Sequence, residues 1–197
     1  MEFTNSIKNR RSVYSLTNET TIPNAKIVEI VSTATKHAPS PMNCQSQMTV
    51  LLLGKNHLQL WDIVMESLRK IVKPEKFQKT EDKINTFKAG FGTVLYFNDD
   101  SITQALQEKY PTYTEKFATW AEQASAMLQF AIWNMLENEG LGASLQHYNP
   151  IIDQAVLAEF KLPATWRLIA QMPFGKPFAP PEEKTFLPIE QRVKIFE

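Results

Sequence analysis

The sequence predicts an α+β fold in which helices flank a central sheet. Three observations carry that expectation. Apolar residues recur at helical spacing in several long segments, three short β-like runs stand between them, and the alternation of the two is irregular. A length of 197 residues suits one domain spanning 1–197 rather than two.

The elements follow in chain order. From Pro23 to Lys36, Ile27, Ile30, Val31 and Ala34 fall on one helical face, and Pro23 suits a first helical turn where its missing N–H costs nothing. The two prolines of the loop from His37 to Asn43 forbid a continuing helix. Met48 to Leu53 reads as a strand closed by Gly54, and Leu58 to Ile71 as a helix through Leu60, Val64, Leu68 and Ile71. Pro74 to Lys88 is charged without a clean period and reads as a mobile loop or a short surface helix. Gly92 to Phe97 is a buried strand that Asn98 to Asp100 ends. The longest helical pattern runs from Thr114 to Asn138, with Phe117, Trp120, Ala121, Ala124, Leu128, Ala131 and Met135 on one stripe and Gly140 as its stop. A helix over Asp153 to Phe160 and a strand over Trp166 to Met172 complete the core. The tail from Pro173 to Pro188 holds five prolines and cannot form a core, so it is either loose or laid over another surface.

Composition excludes several function classes. Hydrophobic residues at 43% and charged residues at 21% are ordinary globular values, which sets aside disorder and fibres. The 21 basic and 21 acidic side chains cancel, so the basic excess of a nucleic-acid binder is missing. A single cysteine, Cys44, rules out an internal disulfide and suits a reducing compartment. Met1 to Ser6 lacks the layout of a secretory signal, and apolar runs such as Val50 to Leu53 are too short to cross a bilayer. The expectation is a cytoplasmic protein without a membrane segment.

Familiar catalytic patterns are missing. His37, His57 and His147 do not stand at zinc-ligand spacing, so no metal site is expected. There is no G-x-S-x-G elbow, no Walker loop and no G-x-G-x-x-G turn, and Cys44 has no evident histidine partner. What remains is Lys8 to Tyr14, where Arg10 and Arg11 precede Ser12. Two planar guanidinium forks and a hydroxyl suit a phosphate, although an isolated run of this kind is more often a solvated basic patch. Arg192 and Lys194 lie on one side of an extended segment and would strengthen such an anion site if the two met.

Taken in order, Arg10 to Val13, Pro39 to Gln45, Gly140 to Pro150 and Arg192 to Lys194 resemble the nitroreductase family over nearly the whole chain. The run from Gly140 to Pro150 resembles the branch of yeast proteins linked to fatty-acid regulation and their bacterial relatives. The resemblance implies a mostly antiparallel sheet and a homodimer in which the C-terminal tail wraps the partner. It also implies FMN, bound without a covalent link at the subunit interface. Arg10, Arg11 and Ser12 would hold the phosphate and ribityl chain, with Arg192 and Lys194 closing on the phosphate. Ser40, Asn43 and Gln45 would contact FMN from the other subunit. Leu145 to Tyr148 would pass the ring, with Gln146 and His147 nearest and a backbone N–H on flavin N5. The flavin would carry the chemistry, leaving no catalytic side chain, and NAD(P)H and a nitroaromatic or quinone-type acceptor would use one pocket in turn, a ping-pong pattern. The alternative is a flavin-binding regulatory or stress-response protein with incidental turnover. Two positions depart from the family pattern: Tyr14 replaces a common basic residue, and Tyr148 replaces a common glycine. Cys44 reads as passive packing, Trp120, Phe130 and Trp133 as core or dimer contacts, and Lys83, Asn85 and Lys88 as a solvated face.

Overall fold

A computed structural model describes residues 3–197. Its sheet has the order β1-β5-β3-β2 (β1 Leu16–Thr17, β2 Gln47–Leu53, β3 Gly92–Asp99, β5 Trp166–Pro177), and β4 (Gly142–Ala143) adds to β5. Every pairing between these strands is antiparallel. The expected α+β architecture is therefore the observed one.

Alternation along β3 explains why its sequence is apolar without a period. Val94 and Tyr96 face a core with Ile27, Ile30 and Val31 of α2 (Asn24–His37) and Leu128, Ile132 and Leu136 of α6 (Thr114–Asn138). Leu95 and Phe97 face a second core with Leu60, Trp61 and Val64 of α3 (Lys55–Arg69) and Ile84 and Phe87 of α4 (Phe77–Lys88). A central strand covered on both faces has no polar side to show.

Several expectations need correction. Of the two readings of Pro74 to Lys88 the helix is the observed one, but it is packed rather than superficial: a short 3-10 turn leads into α4, whose Phe77, Ile84 and Phe87 lie on one face and are buried against α3. Only three apolar residues among many charges hid that period. α3 ends at Arg69, and Ile71, which the pattern placed on its buried face, is exposed. Pro23 precedes α2 as its cap residue in an extended conformation. The buried stripe of α6 passes from Leu128 to Ile132 and Leu136, leaving Ala131 and Met135 half-buried. β5 continues five residues past Met172 to Pro177, so the head of the proline-rich tail belongs to the sheet. Two helices were invisible in the periodicity. α1 (Phe3–Asn9) buries only Ser6, and α5 (Asp100–Lys109) buries only Thr103. A cap begins α5, where Asp99 accepts the Ser101 N–H at 3.0 Å. The seventh helix, α7 (Asp153–Glu159), matches its expected span within a residue.

Among the described residues, no helix is long and apolar enough to cross a membrane.

Candidate active site

The two glycines after α6 do different work. Gly140 takes a positive φ of 78°, the left-handed conformation that ends the helix. Gly142 permits a close approach: a Cβ there would sit 2.9 Å from the Cβ and Cγ1 of Val13. Because that space is free, Val13 donates its N–H to the Ala143 carbonyl at 2.9 Å, and Ser12 pairs with Ala143 in a parallel bridge. Two motifs more than a hundred residues apart in sequence thus share one sheet edge.

Arg10 and Arg11 lead into that junction. The Arg10 guanidinium lies 4.3 Å from the Trp133 ring centre, a cation–π stack that holds the fork in place. Burial, and after it the neighbouring Arg11 charge, lowers the Arg10 pKa, while Glu137 opposes both. Arg11 donates to the Glu182 carbonyl. Together with Ser12, Tyr14, Glu182 and Lys184 they line a groove of about 680 Å³. Its wall from Ala179 to Lys184 belongs to the segment after β5, and Lys184 adds a third cation that the sequence reading did not include.

Beyond Ala143 the chain continues beside β5 in the same register. Ser144 donates to the Pro173 carbonyl at 3.3 Å, and Gln146 exchanges backbone hydrogen bonds with Gln171 at 2.7 and 2.9 Å. Backbone groups alternate sides along a strand, so those of Leu145 and His147 face away from β5. Neither N–H has a partner among the described residues. Gln146, expected nearest the ring, turns its N–H into the sheet, and its side chain donates to Ser144 Oγ at 3.1 Å. The Tyr148 N–H is also occupied, by Gln171 Oε1 at 2.8 Å.

Aromatic rings back this edge. Tyr148 meets Trp61 edge-on at 6.0 Å, Trp61 packs on Phe87 at 5.1 Å, and Phe87 lies 6.3 Å from Tyr14. Burial pushes the Tyr148 phenol up to about 12, so it is neutral at physiological pH. The two positions that depart from the family pattern therefore stand at the ends of one aromatic row.

A single chain does not assemble every expected residue. In the Pro39 to Gln45 loop, Met42, Asn43 and Gln45 adopt positive φ of 52°, 54° and 56°. Ser40 Oγ holds the turn by accepting the Gln45 N–H at 2.9 Å, while Gln45 Nε2 donates to the Asn43 carbonyl at 3.3 Å. Three left-handed residues in one short loop cost conformational energy, and Asn43 and Gln45 remain exposed. None of Ser40, Asn43 and Gln45 lines the Arg10 groove. Arg192 and Lys194 do not line it either; both are exposed, and Lys194 donates to the Glu190 carbonyl at 2.8 Å. Cys44 is half-buried, its Sγ 3.7 Å from Ser46 Oγ. Of the expected solvated face, Lys88 pairs with Asp62, and Lys83 stands 6.0 Å over the Phe87 ring.

Sequence reasoning passed over Gln171 and Trp61. Gln171 carried a signal, being the one polar residue in the run from Leu168 to Met172.

Residues 7–176 match the sequence profile of the Nitroreductase family. The chain belongs to the nitroreductase family. Nitroreductase FRM2 of Saccharomyces cerevisiae is 31% identical over 189 residues, covering 94% of this chain and 93% of its own. The HBN1 protein of the same yeast is 35% identical over 189 residues, with coverages of 95% and 93%. Among solved structures, nitroreductase CinD from Lactococcus lactis in complex with chloramphenicol superimposes with a TM-score of 0.91 at 36% identity, covering all of both chains. CinD also has structures with 4-nitrophenol and with nicotinic acid. A nitroreductase-fold protein from Desulfovibrio desulfuricans, solved with FMN, shares the fold with a TM-score of 0.72 at 19% identity.

Proposed function

We propose that this nitroreductase is an FMN-dependent oxidoreductase that moves electrons from NAD(P)H to nitroaromatic or quinone-type acceptors. One observation carries the reading: the Val13–Ala143 hydrogen bond puts the Arg10–Ser12 donors on the same sheet edge as the open N–H groups of Leu145 and His147.

The residues fit FMN. A phosphate monoester needs cationic and hydroxyl donors, and Arg10, Arg11, Ser12 and Lys184 supply them at one end. A flavin ring needs a donor for the acceptor nitrogen N5, and the outward N–H groups of Leu145 and His147 offer it farther along the edge. No dinucleotide fingerprint stands ready for an adenylate half, which favours FMN over FAD. When bound, FMN supplies the redox chemistry. The chain's own residues bind, orient and shield: Arg10 is pre-set by Trp133, and Tyr148, supported from behind by the buried Trp61, narrows the space beside the segment. The ligands of CinD, two nitroaromatics and a pyridine carboxylate, support one pocket taking an acceptor and a nicotinamide in turn.

The site is completed by a second copy. β2 is an edge strand, and beside it α2 leaves a groove of about 640 Å³ that includes Val28, Thr35, Thr49 and Leu51. The segment after β5 exposes Phe186, Leu187, Ile189, Val193, Ile195 and Phe196. Apolar residues in such number on one segment call for a covering surface, and an open edge strand calls for a partner. In the dimer the tail crosses over, and Ser40, Asn43 and Gln45 reach the partner's FMN. Steady-state kinetics with varied NAD(P)H and acceptor test the reading: parallel double-reciprocal lines are expected, and intersecting lines would contradict a shared pocket.

A further inference from the structure

Gln171 is fully buried at the centre of β5, opposite Leu95 in the register with β3, on the sheet face that carries Trp61 and Phe97. An amide on such an apolar face is costly unless paired. Its pairings all go to one place. Backbone N–H and C=O bind Gln146, Oε1 accepts the Tyr148 N–H at 2.8 Å, and Nε2 lies 3.4 Å from Asn149 Oδ1. Here the ordinary ladder runs out. The register that pairs Gly142 with Gly175 and Gln146 with Gln171 would set Tyr148 opposite Ile169, where the pairing of β5 with β3 slips between Leu168 and Ala170. No backbone carbonyl of β5 takes the Tyr148 N–H, and the Gln171 side chain takes it instead.

We propose that Gln171 is a positioning residue for the flavin. By holding the N–H groups of Gln146 and Tyr148 inward, it leaves Leu145 and His147 as the outward donors and fixes the segment against which the ring lies. This rests on the FMN reading above. A leucine of similar size would fill the same space and satisfy the packing, but it would release Tyr148 and Asn149.

The test uses Gln171→Leu and Gln171→Glu in the full-length protein. Glutamate keeps an acceptor for the Tyr148 N–H, so it separates that contact from mere volume. Three quantities are measured: FMN affinity by fluorescence titration of apo protein, the midpoint potential of the bound flavin, and amide hydrogen exchange over 145–149 without flavin. Gln171→Leu should bind FMN about tenfold more weakly, the equilibrium equivalent of one hydrogen bond. It should also shift the potential and speed exchange at Tyr148. Gln171→Glu should restore slow exchange at Tyr148, because a carboxyl oxygen there accepts the same N–H. Wild-type affinity, potential and Tyr148 exchange in Gln171→Leu would overturn the proposal, even with a reduced melting temperature. If the wild-type protein itself fails to bind FMN, the cofactor reading fails instead, and the exchange data alone judge whether Gln171 orders the segment.

Discussion

Val13 and Ala143 are 130 positions apart in the chain, yet the N–H of one and the carbonyl of the other meet at 2.9 Å. That bond registers the arginine pair against the segment from Leu145 to Tyr148, and Gly142 makes it possible. Gly142→Ala would press a methyl group onto Val13 and Pro177. It should destabilise the fold by about 1–3 kcal/mol, the usual cost of overpacking, and lower FMN retention with it. Urea unfolding and the flavin-to-protein absorbance ratio measure both, and an alanine variant equal to wild type in each would show that the junction tolerates a side chain.

Arg10 and Arg11 should act on affinity rather than on folding. Replacing either by Ala should weaken FMN binding by about 1.5–3 kcal/mol, the range for hydrogen bonds to charged groups, and Lys should restore only part because it lacks the planar fork. Trp133→Leu should cost less, about 0.5–1 kcal/mol, by releasing the Arg10 stack. Fluorescence titration checks all of these, and unchanged affinity in both alanine variants would remove the phosphate assignment.

His57 gives the fold a defined acid limit. The Lys88 carbonyl can only accept, so Nε2 carries the proton in their 3.1 Å contact. Nδ1 then accepts from the Thr93 hydroxyl at 2.9 Å, and Thr93 Oγ1 accepts from Trp61 Nε1 at 3.1 Å. Burial, outweighing the Lys88 hydrogen bond, lowers the His57 pKa. The unfolded chain therefore binds the proton more readily than the folded one. Stability from this group is full above the unfolded value of about 6.5 and is lost as pH falls from there through the folded value. Melting temperature should decline with acid across that window, and His57→Gln should flatten the decline. Identical pH profiles for the two proteins would assign the acid limit to other groups.

The tail should govern assembly. Since β5 runs to Pro177, a cut after Phe174 would damage the sheet, whereas a stop codon after Phe178 leaves β1, β4 and β5 paired. The shortened chain should remain folded, lose dimer stability and release FMN. Sedimentation at micromolar concentration should show a dimer for the full chain, and a flavin-loaded monomer would contradict the crossing tail.

Much of this was legible in the sequence because strong periods survive folding. The span of α6 and the start of β5 appeared in the apolar pattern with the observed ends, and the order of the motifs pointed to the family. What stayed hidden had physical reasons. α4 buries three residues out of twelve and α1 one of seven, so neither writes a stripe. The occupied N–H groups of Gln146 and Tyr148 depend on strand register, which no local pattern reveals. Arg192 and Lys194 were expected to close on the phosphate held by Arg10 and Arg11, yet in a single chain the wall beside those arginines is Ala179 to Lys184.

Electron transfer from a nicotinamide through bound FMN can be watched directly. Anaerobic stopped-flow mixing of the FMN-loaded protein with NADH or NADPH follows it in the visible flavin band. Rapid bleaching with at least one of the two is expected, and recovery of the band on adding 4-nitrophenol or a quinone. A flavin that stays tightly bound and oxidised against both donors would contradict it, and would leave the protein as a flavin-binding regulator.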